Sequence, residues 1–202
     1  LDKGPWDWEL GANLERIQGK TIGIIGMGRI GTAVAMRSKA FGLNVLFYDP
    51  YIRVGIEKSL NVSRVNELKD LLNRSDIITI HTPLTDITKG MVDSEFFQQM
   101  KRGSSIINTA RGEIILMDEL YVALKNNKIK WAGLDVLEIE PINYRHPLIQ
   151  AWHGNEKWIK DRLIITPHAA FYNVDSYLEM RRKAAEELKR IISNQKPNNC
   201  VN

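Results

Sequence analysis

Two kinds of hydrophobic pattern alternate along the 202 residues. Short apolar, β-branched runs recur as KTIGIIG (20–26), NVLFYDP (44–50), DIITIHTP (76–83), SSIINTARG (104–112), IKWAGLDVLEIEP (129–141) and RLIITPH (162–168). Each is bounded by Gly, Pro or Asp, and reads as a buried strand. Between them lie segments whose apolar residues recur every three or four positions, the period of a helix packed on one side. These are RIGTAVAMRSKAFG (29–42), SRVNELKDLLNRS (63–75) with Ser63 as its cap, DSEFFQQMKRG (93–103) capped by Asp93, MDELYVALKNNK (117–128) with Asp118 near its start, and SYLEMRRKAAEELKRIIS (176–193). A shorter helix is expected from Trp8 to Ile17. Strand and helix in strict alternation give parallel strands joined by right-handed crossovers, an α/β doubly wound parallel sheet. The connection 142–161 is long and is read as a packed surface excursion with room for a short helix, anchored by Trp152 and Trp158.

Composition narrows the classes. Hydrophobic residues make up 44% and charged residues 26%, a balance able to bury a full core. The 28 basic residues are interspersed with 24 acidic ones for a net +4, so no nucleic-acid footprint stands out. The densest basic cluster, Arg181-Arg182-Lys183, sits at helical spacing from Glu179, Glu186 and Glu187 and reads as a solvated helix face. One cysteine, Cys200, permits no internal disulfide and fits a reducing, cytoplasmic compartment. No apolar run approaches the ~20 residues of a membrane span. The first residues lack the pattern of a signal peptide and an initiator Met, so the chain is expected to be a piece of a longer protein.

The first strand stops at IIGMGRIG, which places Gly26, Gly28 and Gly31 in a G-x-G-x-x-G pattern between a strand and a helix. That context separates a dinucleotide fingerprint from coincidence. Gly26 permits the tight turn, Gly28 lets backbone approach a pyrophosphate, and Gly31 lets the helix pack on the strand. Asp49 closes the next strand 18 residues past Gly31, near the ~20 at which an acid meets the ribose hydroxyls. A carboxylate there repels a 2′-phosphate, so the expected cofactor is NAD rather than NADP, bound on a Rossmann-type domain. Ligands in such sheets bind beyond the carboxyl ends of the strands. The charged residues at predicted strand ends are Asp49, His81, Arg111, Asp135, Glu138, Glu140 and His168. Arg111 is suited to gripping a carboxylate with two parallel hydrogen bonds. His168 can give or take a proton near neutral pH, and Glu140 could orient its imidazole. Taken singly, each also reads as a surface arginine, a satisfied histidine or an acidic turn.

KTIGIIGMGRIG, VLFYDPY, INTARGEI, AGLDVLEIEP and TPHAAFY, in this order and over nearly the whole chain, resemble the D-isomer-specific 2-hydroxyacid dehydrogenases. The resemblance implies Arg111, Glu140 and His168 as catalytic residues, with Glu140 rather than Glu138 matching the family's acid because it directly precedes Pro141. It implies that Asp135 faces the nicotinamide carboxamide. It extends the cofactor contacts to Arg29, Ile30, Thr82, Pro83, Thr109, Ala110 and His168 beside the three glycines and Asp49. No metal is implied. The implied reaction interconverts 2-hydroxy and 2-keto acids, and the implied assembly is a homodimer through this domain, with Trp131, Trp152 and Trp158 as candidate anchors. The implied organisation is a connecting helix (1–18), an NAD-binding domain (19–193) and the start of a return segment (194–202) to a substrate domain outside this chain.

Within the family, KAFGLNVLFYDPY, TPHAAFY and NNCVN are most similar to the C-terminal-binding protein branch and its bacterial relatives. An NAD-sensing dimeric scaffold of the co-repressor kind is therefore the alternative to an enzyme. The animal co-repressors carry Trp where this chain has Phe171, which changes the substrate pocket. A third reading, an NAD-dependent hydrolase of thioether nucleosides, fits the order of arginine, glutamate and histidine poorly.

Overall fold

Residues 14–198 and 200 are described in a computed structural model of the chain. They divide into two compact units, one ending at Ile165 and one beginning at Thr166. In the first unit the elements run β1 (Thr21–Ile25), α1 (Arg29–Ala40), β2 (Asn44–Tyr48), α2 (Ile56–Leu60), β3 (Ser63–Arg64), α3 (Leu68–Arg74), β4 (Ile77–Ile80), α4 (Ser94–Gln99), β5 (Ser104–Asn108), a 3-10 turn (Gly112–Ile114), α5 (Met117–Lys125), β6 (Ile129–Leu134), α6 (Pro147–His153) and β7 (Leu163–Ile165). The strands form one sheet in the order β3-β2-β1-β4-β5-β6-β7, parallel throughout. The order reverses between β1 and β4, and a doubly wound sheet opens its ligand crevice at that reversal.

The alternation of side chains along β1 builds a core on each face. Ile22 and Ile24 join Ala35, Val45 and Phe47 in one cluster. Ile25 joins the larger one, with Leu71, Leu72, Phe96, Phe97, Leu120 and Leu124 from α3, α4 and α5. Gly23 lets α3 approach β1, since a Cβ there would sit 2.3 Å from Ser75 Oγ and 2.6 Å from Leu71 Cδ2.

Two expectations meet a different structure. Ser63 caps no helix. It pairs with Leu46 in the edge strand β3, the Val65 N–H bonds the Phe47 carbonyl at 2.9 Å, and α3 starts at Leu68 after Glu67. The cause is tertiary. The Arg64 guanidinium lies 4.9 Å from the Phe47 ring centroid, pairs with Glu57 at 3.2 Å, and donates to the Asp49, Ile52 and Arg53 carbonyls. A cap contributes only about 0.5–2 kcal/mol, too little against that set. The helix expected from Trp8 to Ile17 is absent over 14–17, and its earlier residues lie outside those described. The short helix expected within 142–161 is α6. Trp152 and Trp158 are half-buried against the main core, Trp158 edge-on to Tyr121 at 5.7 Å, so much of their surface is used within the chain.

At the amino edge of the sheet Glu15 pairs with both Lys20 and Lys130. The Lys130 ammonium, then that of Lys20, pulls the Glu15 carboxyl down from 4.5 to about 2. A depressed carboxyl stabilises the fold above its unfolded value and loses that contribution as pH falls through its folded value. Thermal melts of the wild type and Glu15→Gln should therefore differ at pH 7 and converge between pH 4.5 and 2. A gap that stays constant over that range contradicts the assignment.

The second unit carries α7 (Val174–Ile192), whose N-cap Asn173 accepts from the Ser176 N–H at 2.7 Å. Val174, Leu178, Leu188 and Ile192 form an exposed apolar stripe on it, and Lys183–Glu179 and Arg182–Glu186 pair along its polar side. Among the described residues no helix is long and apolar enough to cross a membrane.

Candidate functional site

At the carboxyl end of β1 the chain turns through Gly26, held at φ +90° by its N–H to the Tyr48 carbonyl at 3.0 Å. A side chain at Gly26 would meet the His81 carbonyl oxygen at 2.8 Å. Gly31, in the first turn of α1, sits on that turn, and a Cβ there would lie 2.0 Å from the Gly26 carbonyl oxygen. Gly28, the N-cap of α1, is different: its backbone is extended, and a Cβ would meet nothing within 4 Å. Space is open there in front of the first-turn N–H groups, which have no acceptor within the helix. Arg29 and Ile30 follow, both exposed.

Asp49, just past β2, closes over this turn. Its Oδ2 accepts from the Met27 N–H at 2.8 Å, and its Oδ1 accepts from the Tyr51 and Ile52 N–H groups at 2.9 and 3.1 Å. A carboxylate offers about four acceptor positions, so three are used and one on Oδ2 is left. The tie to Met27 spans 22 residues and leaves no signal in the sequence.

Across the sheet reversal, β4 is followed by His81, Thr82 and Pro83. Burial holds the His81 imidazole below its ordinary range, and its Nε2 lies 3.0 Å from Thr79 Oγ1. The Thr82 Oγ1 is buried with no hydrogen-bond partner. Such an orphan is rare in a folded protein and points to a missing partner.

At the end of β5 the loop Thr109-Ala110-Arg111 leaves the sheet. The Arg111 side chain is exposed, and its Nη1 donates to the Ala110 carbonyl at 2.7 Å. Gly112 is buried against the exit of β6, and a Cβ there would lie 1.9 Å from the Leu137 carbonyl oxygen. Asp135 is buried just past β6, with its N–H on the Asn108 carbonyl at 2.9 Å. Glu138 and Glu140 have separate surroundings. Glu138 accepts from the Met117 N–H at 3.1 Å and so caps α5, whereas Glu140 accepts from the Leu137 N–H at 2.9 Å within its own loop. Nothing in the sequence marks Gly112 as a packing residue or Glu138 as a cap.

His168 belongs to the second unit, three residues beyond β7. Its φ is +52°; every other non-glycine residue with positive φ among those described is Asn or Asp. A histidine in that region is uncommon and marks a position worth functional attention. Its N–H bonds the Thr166 carbonyl at 2.9 Å, and its ring stands edge-on to Phe171 at 5.9 Å. Among the described residues no group of His, Cys, Asp and Glu could hold a metal ion.

The family profile described as D-isomer specific 2-hydroxyacid dehydrogenase, NAD binding domain, matches residues 1–170. The chain belongs to this family. It is 38% identical over its full length to D-3-phosphoglycerate dehydrogenase of Methanocaldococcus jannaschii, covering 36% of that protein. It is 36% identical over 93% of its length to C-terminal-binding protein 1 of Caenorhabditis elegans, covering 25% of it. Its fold matches the crystal structure of the TT0316 protein from Thermus thermophilus with a TM-score of 0.83 and 33% identity, over 98% of this chain and 58% of that one. The chain thus spans about a quarter to a third of these curated relatives.

This 2-hydroxyacid dehydrogenase domain has the shape its cofactor needs. The open space at Gly28, the first turn of a 12-residue helix and the orphan Thr82 hydroxyl together fit a dinucleotide with phosphates and free hydroxyls. The domain also ties its site loops together through Gly112. Gly112→Ala should destabilise the fold by about 2–3 kcal/mol, because the Cβ meets backbone that cannot rotate away. Urea unfolding of the variant checks this, and a loss below about 0.5 kcal/mol would contradict the packing.

Proposed function

We propose that the protein is a cytoplasmic, homodimeric NAD-dependent oxidoreductase that interconverts 2-hydroxy and 2-keto acids. The observation that carries this reading is the exposed Arg111 guanidinium on the same carboxyl edge of the sheet as the glycine turn, in a chain of the D-2-hydroxyacid dehydrogenase family. The turn at Gly26, Gly28 and Gly31, with the N-terminal N–H groups at Arg29 and Ile30, takes the pyrophosphate. Asp49 takes a ribose hydroxyl. Thr82, Pro83, Thr109, Ala110 and Asp135 line the remainder. NADH supplies the hydride when bound. In reduction Arg111 holds the substrate carboxylate. In the family motifs that carry these roles, His168 is the proton donor and Glu140 the acid of the set.

Arg111 and His168 are both exposed in this chain. Charges act weakly when water surrounds them, so the 202-residue chain alone should turn over keto acids poorly. A dimer should form through this domain. Light scattering with NAD present checks it, and a monomer at high concentration counts against it.

Cofactor choice tests the reading of Asp49. Calorimetric titration should find NAD(H) bound more tightly than NADP(H), and Asp49→Asn should narrow the gap while keeping one acceptor for the Met27 N–H. Equal affinity for both dinucleotides, or binding of neither, removes the assignment. The similarity to C-terminal-binding protein 1 keeps an NAD-sensing scaffold as the second reading. Tight NAD binding in a complete gene product that reduces no 2-keto acid would put it first.

A further inference from the structure

We propose that Asn108 is the positioning residue of Arg111, an inference that rests on the dehydrogenase reading given above. Asn108 is the last residue of β5 and is fully buried. Its backbone carbonyl is fixed by the Asp135 N–H at 2.9 Å, which locks it to β6. Its side chain has no freedom either. Oδ1 accepts from the Ala110 N–H at 2.9 Å, and Nδ2 donates to the Arg111 carbonyl at 2.8 Å. The two contacts need opposite ends of the amide, so its orientation is set by its partners.

These contacts hold the backbone on both sides of the Ala110–Arg111 peptide. That peptide is the one whose carbonyl receives the Arg111 Nη1 at 2.7 Å. A line of support therefore runs from the rigid sheet, through one buried amide, to the guanidinium. Arg111 itself has no burial to hold it, and an unsupported exposed arginine spreads over many rotamers. Two parallel hydrogen bonds to a carboxylate require the planar fork to be presented in one orientation. The buried amide supplies that presentation without touching substrate.

Asparagine is required by this geometry. Asp at 108 keeps an acceptor for the Ala110 N–H but sets an oxygen against the Arg111 carbonyl, where a donor is needed. Ala supplies neither contact.

The test uses the complete product of the reading frame, with NADH and whichever 2-keto acid the wild type reduces best. Asn108→Ala should raise the KM for the keto acid about tenfold or more while lowering kcat by less than about threefold, since loss of alignment falls on substrate capture. Asn108→Asp, nearly isosteric and so the safer variant for folding, should raise KM in the same direction. In an Arg111→Ala background, Asn108→Ala should leave KM where the arginine change put it, because nothing remains to be positioned. A second readout is independent of activity. Limited trypsin digestion should cut both Asn108 variants faster at Arg111–Gly112 than the wild type, with rates at other sites unchanged. A KM within about twofold of wild type for both single variants overturns the proposal. So does a further loss added to Arg111→Ala, or faster cutting at every site, either of which marks general structural damage. If the wild type reduces no keto acid, the functional reading fails first, and unchanged cutting at Arg111 then overturns the positioning claim as well.

Discussion

His168→Ala is expected to lower turnover of a 2-keto acid by about 10²–10⁴-fold, the range general acid–base catalysis contributes. The loss falls on kcat because the imidazole acts on the oxygen only as the bond order changes there. The backbone supports a dedicated role: His168 is held at φ +52° by its own short turn to Thr166, a conformation with a steric cost for any side chain beyond glycine. Arg111→Ala should behave differently and mainly raise KM, since its guanidinium grips the carboxylate in ground state and transition state alike. Steady-state kinetics of the two variants in the complete gene product decide it. A His168→Ala enzyme within about tenfold of wild-type kcat would remove the proton-donor assignment.

The second large effect separates two glycines of one motif. At Gly31 a methyl group would lie 2.0 Å from the Gly26 carbonyl oxygen and 3.3 Å from Ile24 Cγ2. Both the turn and the helix would have to move. Gly31→Ala should therefore cost about 3 kcal/mol, the upper range of overpacking, and lower Tm by roughly 6–12 °C. At Gly28 the same methyl group meets nothing within 4 Å, and φ is −69°. Gly28→Ala should leave Tm within about 2 °C of wild type, since its cost stays under about 0.5 kcal/mol. It should still weaken NAD binding about tenfold or more, because the space it fills is where the pyrophosphate approaches. Scanning calorimetry and NAD titration of the two variants provide the four numbers. A Gly28→Ala protein that binds NAD like the wild type would move the phosphate elsewhere.

Most of the sheet is legible in the chain. β1, β2 and β4–β7 are apolar runs closed by Gly, Asp or Pro, the trace that strands of a parallel sheet leave in sequence. β3 is not, because two residues carry no period and the pull on Ser63 comes from Arg64 meeting Phe47 and Glu57. The candidate site is partly legible for a similar reason. Gly26, Gly28, Gly31 and Asp49 stand at fixed offsets that a phosphate and a ribose dictate. Arg111, Glu140 and His168 stand out as charged groups at strand ends. The supports behind them do not. Asn108 looks like any loop asparagine until both ends of its amide are seen in use, Glu138 looks interchangeable with Glu140 until one is found capping α5, and Asp49 shows no sign in sequence of its tie to Met27.

The dehydrogenase assignment is tested most directly by following NADH oxidation in the complete gene product, scanned across 2-keto acids of different side chain with NADPH in parallel. At least one keto acid should be reduced, with NADH preferred over NADPH, and Arg111→Ala should raise its KM. Absence of turnover on every keto acid, in a protein that still binds NAD, would contradict the enzyme reading.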